Sequence, residues 1–280
     1  MTILSNTLDL DRVAFFIPYF RLPVYWYGIL FALGFFLSSI FLKILVSDGQ
    51  KNKNKLAEEL VHSLSGYILI AVILGARIFH VAFYEGVGKL FNFYHLINLR
   101  DGGLASHGAI FFIMIGYLLF TLKKKKLIES LNLDNKRIFD FLCLSSLINA
   151  SFIRVGNFLN QEILGKSTDS FLGVVFMRPI GDYIVCKRHP VQLYEAVFYV
   201  CLFCFLLWIL KRKQIFQSSG VLTGVFFFLM FSFRIWIEQF KEVQSVYDNQ
   251  FNMMGVYLSI PFLIGSIIYT IFSLRSKIYS

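Results

Sequence analysis

Hydrophobic and polar positions in this chain come in long blocks instead of alternating residue by residue. Seven apolar stretches stand out, Val24 to Val46, Val61 to Tyr84, Ala105 to Leu122, Ile138 to Leu159, Val191 to Leu210, Gly220 to Ile237 and Met253 to Leu274. Each is long enough, as a helix, to cross roughly 30 Å of hydrocarbon. Barrel strands would be shorter and would alternate polar with apolar residues. The pattern predicts an all-α, polytopic membrane protein of about seven transmembrane helices, forming a single integral membrane domain over residues 1–280.

Composition agrees with a lipid environment. Apolar residues make up 57% of the 280 and charged residues 16%, against roughly 45–50% and 25% in an ordinary soluble domain. The start of the chain lacks a basic n-region and a small-residue cleavage pattern, so the first span is expected to be retained. Cys201 and Cys204 form a Cys-x-x-Cys inside an apolar span, with no second pair or nearby His. Neither zinc nor redox chemistry is expected there.

A net charge of +10 would suit nucleic acid if it were gathered on one face. Here it is divided among short loops between spans. Lys51, Lys53 and Lys55 fall in the first, Lys123 to Lys126 with Lys136 and Arg137 in the third, Lys211 to Lys213 in the fifth, and Arg275 and Lys277 in the tail. The positive-inside rule makes these loops cytoplasmic, with the N-terminus outside and the C-terminus in the cytoplasm. Lys166, Arg178, Lys187 and Arg188 in the long fourth loop count against that asymmetry without reversing it.

With this orientation the polar residues within the spans collect at the outer ends. These are Tyr25 to Tyr27 in span one, Arg77, His80 and Glu85 in span two, and Asp101 to Gly103 with His107 in span three. Arg154, Asn157, Asn160 and Glu162 follow in span four, His189, Gln192, Tyr194 and Glu195 in span five, and Arg234 and Glu238 in span six. The inner ends offer little beyond loop lysines. An ionisable group in the bilayer costs about 2.5–3.5 kcal/mol, so several at one depth suggest a functional site. Arg234 and Glu238, at i and i+4, also fit a simple salt bridge. At 100° per residue Arg154, Asn157, Gln161 and Glu162 share an arc of roughly 140°, which must face a cavity or a partner.

Arg77, Arg154 and Arg234 suit a phosphate, because a guanidinium offers a rigid fork of donors and a permanent charge. His107, preceded by a Gly pair, suits a proton acceptor near neutral pH, or a histidine that only bonds a neighbouring loop. Asn157 and Asn160 fit either substrate orientation or helix capping. Together these groups imply an anionic amphiphile such as a phospholipid. Composition does not separate transfer from transport.

Seven segments, YWYG (25–28), GARIFHVAFY (75–84), DGGLASHGA (101–109), RVGNFLNQEILGK (154–166), RHPVQLYE (188–195), FRIWIEQF (233–240) and MGVYLSIP (254–261), together resemble the prolipoprotein diacylglyceryl transferase family. The resemblance touches every span in order. It implies transfer of the diacylglyceryl group of phosphatidylglycerol to the lipobox cysteine thiol of prolipoproteins, with glycerol phosphate released. It further implies a multi-pass enzyme of the bacterial plasma (inner) membrane, and the orientation set by the basic loops puts its active site toward the outer leaflet. The partners are phosphatidylglycerol, prolipoprotein signal peptides and membrane lipid, with no metal, organic cofactor or nucleic acid. Position by position, His107 and Tyr27 match the family's essential histidine and tyrosine, and Arg154 and Arg234 its arginines at the lipid phosphate. Asn157, Asn160, Glu162, Gly165 and Glu238 match further site positions, and Arg77 joins them as a candidate phosphate ligand. Tyr25 stands where several members have His, Met230 where many have Tyr, and the loop from Gly165 to His189 is short.

A free thiol with a pKa near 8.5 is mostly protonated at neutral pH, so the reaction needs a base and a stabilised leaving group. His107 is the first candidate base, with Tyr27 or Glu162 next, while Arg154 and Arg234 offset charge on the departing phosphate. A phospholipid transporter or flippase is the alternative. Many such folds carry paired internal repeats, and none is visible here. A rhomboid-like protease would need an intramembrane Ser with a His on another helix, and no Gly-x-Ser-x-Gly occurs.

Overall fold

The computed structural model describes residues 6–82, 88, 106–181, 183–212, 218–242 and 254–275. Each apolar stretch of the sequence becomes a helix. These are α1 (Trp26–Ser47), α2 (Asn54–His80), α3 (Ser106–Lys123), α5 (Asn135–Leu159), α6 (Val191–Lys211), α7 (Val221–Glu238) and α8 (Met254–Arg275), with a short α4 (Lys125–Ser130) between α3 and α5. Five of them, α1, α2, α5, α6 and α7, are long and apolar enough within the described residues to cross a membrane. The other two carry shorter described apolar stretches, Phe111–Lys123 and Ser259–Arg275.

The chain separates into two compact units, one of residues 1–41 and 136–280, the other of residues 42–135. The smaller unit is built on α2 against α3. Gly75 and Gly108 let these helices touch, since a Cβ on Gly75 would lie 2.4 Å from the Gly108 carbonyl oxygen. Small residues permit such approach where lipid supplies no hydrophobic drive between helices.

The larger unit carries β-structure that the apolar blocks did not predict. Strands β2 (Val13–Ile17) and β3 (Leu22–Tyr25) form an antiparallel hairpin leading directly into α1. Phe15, Phe16, Tyr19 and Phe20 are exposed on it, so a run that reads as apolar is not part of the span. The long fourth loop supplies β4 (Val174–Phe176) and β5 (Lys187–Arg188), which join β1 (Thr7–Leu8) in a small sheet of order β1-β4-β5. Leu164, Val174 and Phe176 form a core beneath it.

Two sequence expectations require correction. Helix α5 ends at Leu159, and Gln161 and Ile163 take left-handed φ values of +55° and +57°. The chain therefore reverses after Asn160, and the 100° spacing that put Gln161 and Glu162 on one helical face with Arg154 does not extend to them. Gln161 instead ties the turn down, donating to the Leu10 carbonyl at 3.0 Å and accepting from the Arg178 backbone N–H at 2.7 Å. The second correction concerns the inner ends. Asp140, near the start of α5, is fully buried. It accepts from the backbone N–H groups of Gly220 and Thr223 at 2.8 Å each and from the Thr223 hydroxyl at 2.7 Å. Gly220 has φ +93° and no capping side chain of its own, so a carboxylate from a distant helix caps α7.

Candidate active site

The larger unit draws three of its helices together at Glu195. This carboxylate sits in the second turn of α6 and is 1% exposed. Arg154 of α5 places Nε 3.1 Å from its Oε2, and Lys241, just beyond α7, donates from Nζ to Oε1 at 3.0 Å. Arg234 of α7 places Nη1 3.8 Å from the same Oε1. Burying one carboxylate among three cations is tolerable because each charge is partly offset in a low dielectric.

The two arginines are held differently. Arg154 is mostly buried, donates to Asn157 Oδ1 at 3.1 Å and lies within electrostatic reach of the buried Tyr199 hydroxyl. Asn157 passes the chain on, donating from Nδ2 to Glu162 Oε1 at 2.7 Å. Arg234 is 39% exposed and stands 3.6 Å from Glu238 Oε2 and 3.8 Å from Glu195. Both distances exceed a normal hydrogen bond. Its fork of donors is thus held by charge in one region, with capacity left for an anion.

The backbone that positions this network is a clip formed where the chain reverses. Lys166 N–H donates to the Phe240 carbonyl at 2.8 Å, Glu242 N–H to Leu164 at 3.0 Å and His189 N–H to Lys166 at 3.0 Å. Arg188 fastens it by donating to Glu242 at 2.7 Å and to the Gly165 carbonyl at 3.2 Å. At Gly165 a Cβ would lie 2.3 Å from the His189 carbonyl oxygen and 3.0 Å from that of Phe240, so only glycine fits. The clip sets Lys241 against Glu195. Gln192 adds a bond from Nε2 to the Glu162 carbonyl at 2.6 Å.

Tyr27, in the first turn of α1, approaches α5 at Gly156, where a Cβ would lie 3.1 Å from the Tyr27 Cα. Its hydroxyl is within electrostatic reach of Glu162 and Arg154. Burial pushes the Glu162 carboxyl above the usual range, against the pull of the Asn157 amide and of the Arg154 and Arg12 guanidiniums. Burial also draws Lys241 down to about 8, with Glu195 opposing and Arg234 and Arg154 adding to the shift. Among the described residues, Glu195 Oε2, Glu238 Oε2, Gln192 Oε1 and Asn160 Oδ1 are buried without a hydrogen-bond partner. Such atoms are uncommon in folded proteins and gather at functional sites.

Of the residues singled out in the sequence, Tyr27, Arg154, Asn157, Glu162, Arg234 and Glu238 belong to this network and Gly165 to its clip. Asn160 lines a polar cavity of about 240 Å³ with Leu10, Asp11, Arg12, Arg178 and Pro179. Arg77 is buried near the end of α2 in the smaller unit. His107 is the second residue of α3 in that unit, but its side chain lies outside the described residues, as do Asp101 to Gly103 and Glu85. Sequence reasoning missed Glu195, Lys241 and Tyr199 as site residues. Glu195 was visible in the RHPVQLYE segment and could have been found by asking which carboxylate balances two intramembrane arginines. Among the described residues no group of three or more His, Cys, Asp or Glu is placed to hold a metal ion.

A helical, polytopic membrane protein with an arginine pair organised on a buried carboxylate is the class that fold and site define. The sequence profile of the prolipoprotein diacylglyceryl transferase family matches residues 12–272, and the chain belongs to that family. Its relatives include the phosphatidylglycerol–prolipoprotein diacylglyceryl transferase of Tolumonas auensis, 35% identical over 91% of this chain and 93% of the relative. The protein of that name from Chlamydia trachomatis is also 35% identical, over 91% and 93% respectively. That of Porphyromonas gingivalis is 32% identical, over 93% and 92%.

Proposed function

We propose that this chain transfers the diacylglyceryl group of phosphatidylglycerol to the cysteine thiol of a prolipoprotein lipobox, the first step of lipoprotein maturation. The bond between the glycerol C3 carbon and its phosphate oxygen breaks, a thioether C–S bond forms, and glycerol phosphate departs with the phosphate charge. The thiol proton passes to a base.

Family membership supports the reaction. The observation that carries the site is Arg234, two-fifths exposed and without a hydrogen bond to either neighbouring carboxylate, beside an Arg154 held by Glu195 and Asn157. A phosphate meeting this pair receives one preset guanidinium and one that can close upon it. As charge grows on the departing phosphate, donors already in place stabilise it without reorganising. Asn157 relays between Arg154 and Glu162, which fixes both in orientation.

His107 is the base in this reading, an assignment that rests on the sequence motif, as does a role for Arg77. Tyr27 and Glu162 stand next in line, being within reach of Arg154. We place the enzyme in the bacterial inner membrane as one functional domain, as its family resemblance implies, and orient it N-terminus outside with the site toward the outer leaflet on the strength of the basic loops. No metal or organic cofactor takes part in the steps drawn here.

Purified protein incubated with phosphatidylglycerol and a lipobox peptide is expected to yield a diacylglyceryl–peptide adduct by mass spectrometry, absent when the peptide cysteine is changed to serine. If the adduct does not form, the reaction assigned here is wrong. If His107→Gln keeps full turnover across pH while phosphatidylglycerol still binds, the base is another group.

A further inference from the structure

Glu195 has two oxygens and, among the described residues, three cationic neighbours, and they do not share it equally. Lys241 holds Oε1 in a hydrogen bond at 3.0 Å, while Arg234 waits 3.8 Å from that same atom. Lys241 is 5% exposed and Arg234 is 39% exposed. The ammonium is therefore the fixed member and the guanidinium the one able to move. Were Lys241 to give up its charge, Glu195 would lose its closest cation, and Arg234 would be drawn onto the vacated oxygen and away from any anion.

We propose that Lys241 is a positioning residue that governs how strongly the site holds an anionic lipid headgroup, by competing with Arg234 and Arg154 for the single carboxylate of Glu195. Charged, it leaves the guanidinium of Arg234 to the ligand. Neutral, it surrenders that guanidinium to Glu195. The proposal rests on the phosphatidylglycerol reading above but concerns a residue which that reading does not use.

The surroundings of Lys241 permit the switch. Facing it are Glu195 from α6, Arg234 from the end of α7 and Arg154 from α5, with Glu238 beside Arg234 at 3.6 Å. Beside it Arg188 is already paired with Glu242 at 2.7 Å, and His189 contacts Tyr194 and the ring of Phe240. Its backbone is fixed by the bridge to Gly165, and its side chain is 5% exposed. Desolvation and two guanidiniums lower its proton affinity, to a pKa of about 8. An arriving phosphate adds negative charge and raises it again. Binding and protonation are then linked, each strengthening the other by the same factor.

The test is calorimetric titration of the full-length protein, in nanodiscs of phosphatidylcholine, with short-chain phosphatidylglycerol at pH 7, 8 and 9, in two buffers of different ionisation enthalpy. Affinity of the unsubstituted protein is expected to fall about five- to tenfold from pH 7 to pH 9, with net proton uptake on binding near pH 8. Lys241→Arg, whose charge does not titrate in this range, should show a flat profile and no such uptake. Lys241→Met should bind weakly at every pH.

A pH-independent affinity in the unsubstituted protein, or the same decline in Lys241→Arg, overturns the proposal. If Lys241→Met does not fold, comparison of the unsubstituted protein with Lys241→Arg still decides. Adduct formation together with pH-independent binding would sink this inference alone. No phosphatidylglycerol binding and no adduct would sink the functional reading as well. Titration with inorganic phosphate distinguishes a lipid site, where it binds far more weakly, from a general phosphate site, where it binds equally and overturns the assignment to a lipid headgroup.

Discussion

Two buried carboxylates in the same unit, Asp140 and Glu195, are treated in opposite ways. Asp140 receives three short hydrogen bonds, two from backbone N–H groups at the start of α7 and one from Thr223, and Arg137 stands 3.7 Å away. Its lone pairs are used and nothing around it is left over. Among the described residues Glu195 receives one hydrogen bond, from Lys241, while Arg154 lies close without hydrogen-bond alignment and Arg234 lies beyond reach. A saturated carboxylate fixes a helix end, whereas an unsaturated one beside a movable guanidinium leaves that cation free to be shared with an anionic ligand. Burial of charge does not by itself mark a site; the unfilled hydrogen-bond capacity does.

The comparison can be broken by substitution. The largest effect is expected for Arg154→Gln, which removes the fixed guanidinium and leaves Glu195 less well balanced. Adduct formation should fall by about 10²–10³-fold, the usual loss for a charge-stabilising donor. A fall of less than about threefold would remove Arg154 from the site.

Glu195→Gln and Asp140→Ala should then separate the two carboxylates. Without the Glu195 charge the three cations repel one another, and turnover should drop by about 10²-fold, as when reacting groups are displaced by about 1 Å. Asp140→Ala should instead cost about 3–5 kcal/mol of stability, because buried donors lose their acceptor, while turnover per folded molecule stays unchanged. Thermal unfolding in detergent and a folded-fraction-corrected assay read both. Equal losses of turnover in the two variants would erase the distinction.

Gly165→Ala tests whether the clip sets Lys241 against Glu195. The added methyl must displace the backbone of His189 or Phe240, and about a tenfold loss of turnover is expected, with a lowered unfolding temperature. Unchanged turnover would show that the register of the clip is irrelevant to the site.

The smallest effect concerns Glu162. Its pKa in the fold lies above the ordinary carboxylate value. The fold is therefore favoured by the protonated form, and that advantage is lost as pH rises through the folded pKa. Glu162→Gln, which cannot ionise, should raise the unfolding temperature relative to the unsubstituted protein more at pH 7 than at pH 4. A gain confined to pH 4 would mean that the ionised carboxylate is the form the fold prefers.

Much of this was legible along the chain. Blocks of apolar residues located the long helices to within a few residues at each end, because a span must satisfy its own backbone and so must be a continuous apolar run. The exception is α2, which begins at Asn54, seven residues before the apolar run. Arg154, Asn157, Arg234 and Glu238 were legible for a related reason, since polar groups in such runs are costly and persist only with partners. The hairpin at Val13–Tyr25 was not, because Phe15, Phe16 and Phe20 read as apolar whether they enter a span or lie exposed on a strand.

What the sequence alone determined is thus the class of protein and the residue types available to its site, both consequences of the expense of placing polar groups in lipid. Tertiary structure decided how those residues are connected. The reversal after Asn160 turned Glu162 back onto Asn157, and the clip at Gly165 carried Lys241 onto Glu195. Neither is encoded in a local period. Contacts between residues 46 positions apart, as Glu195 and Lys241 are, depend on how separate helices and their connecting turns pack, and one carboxylate is apportioned among three cations only once that packing exists.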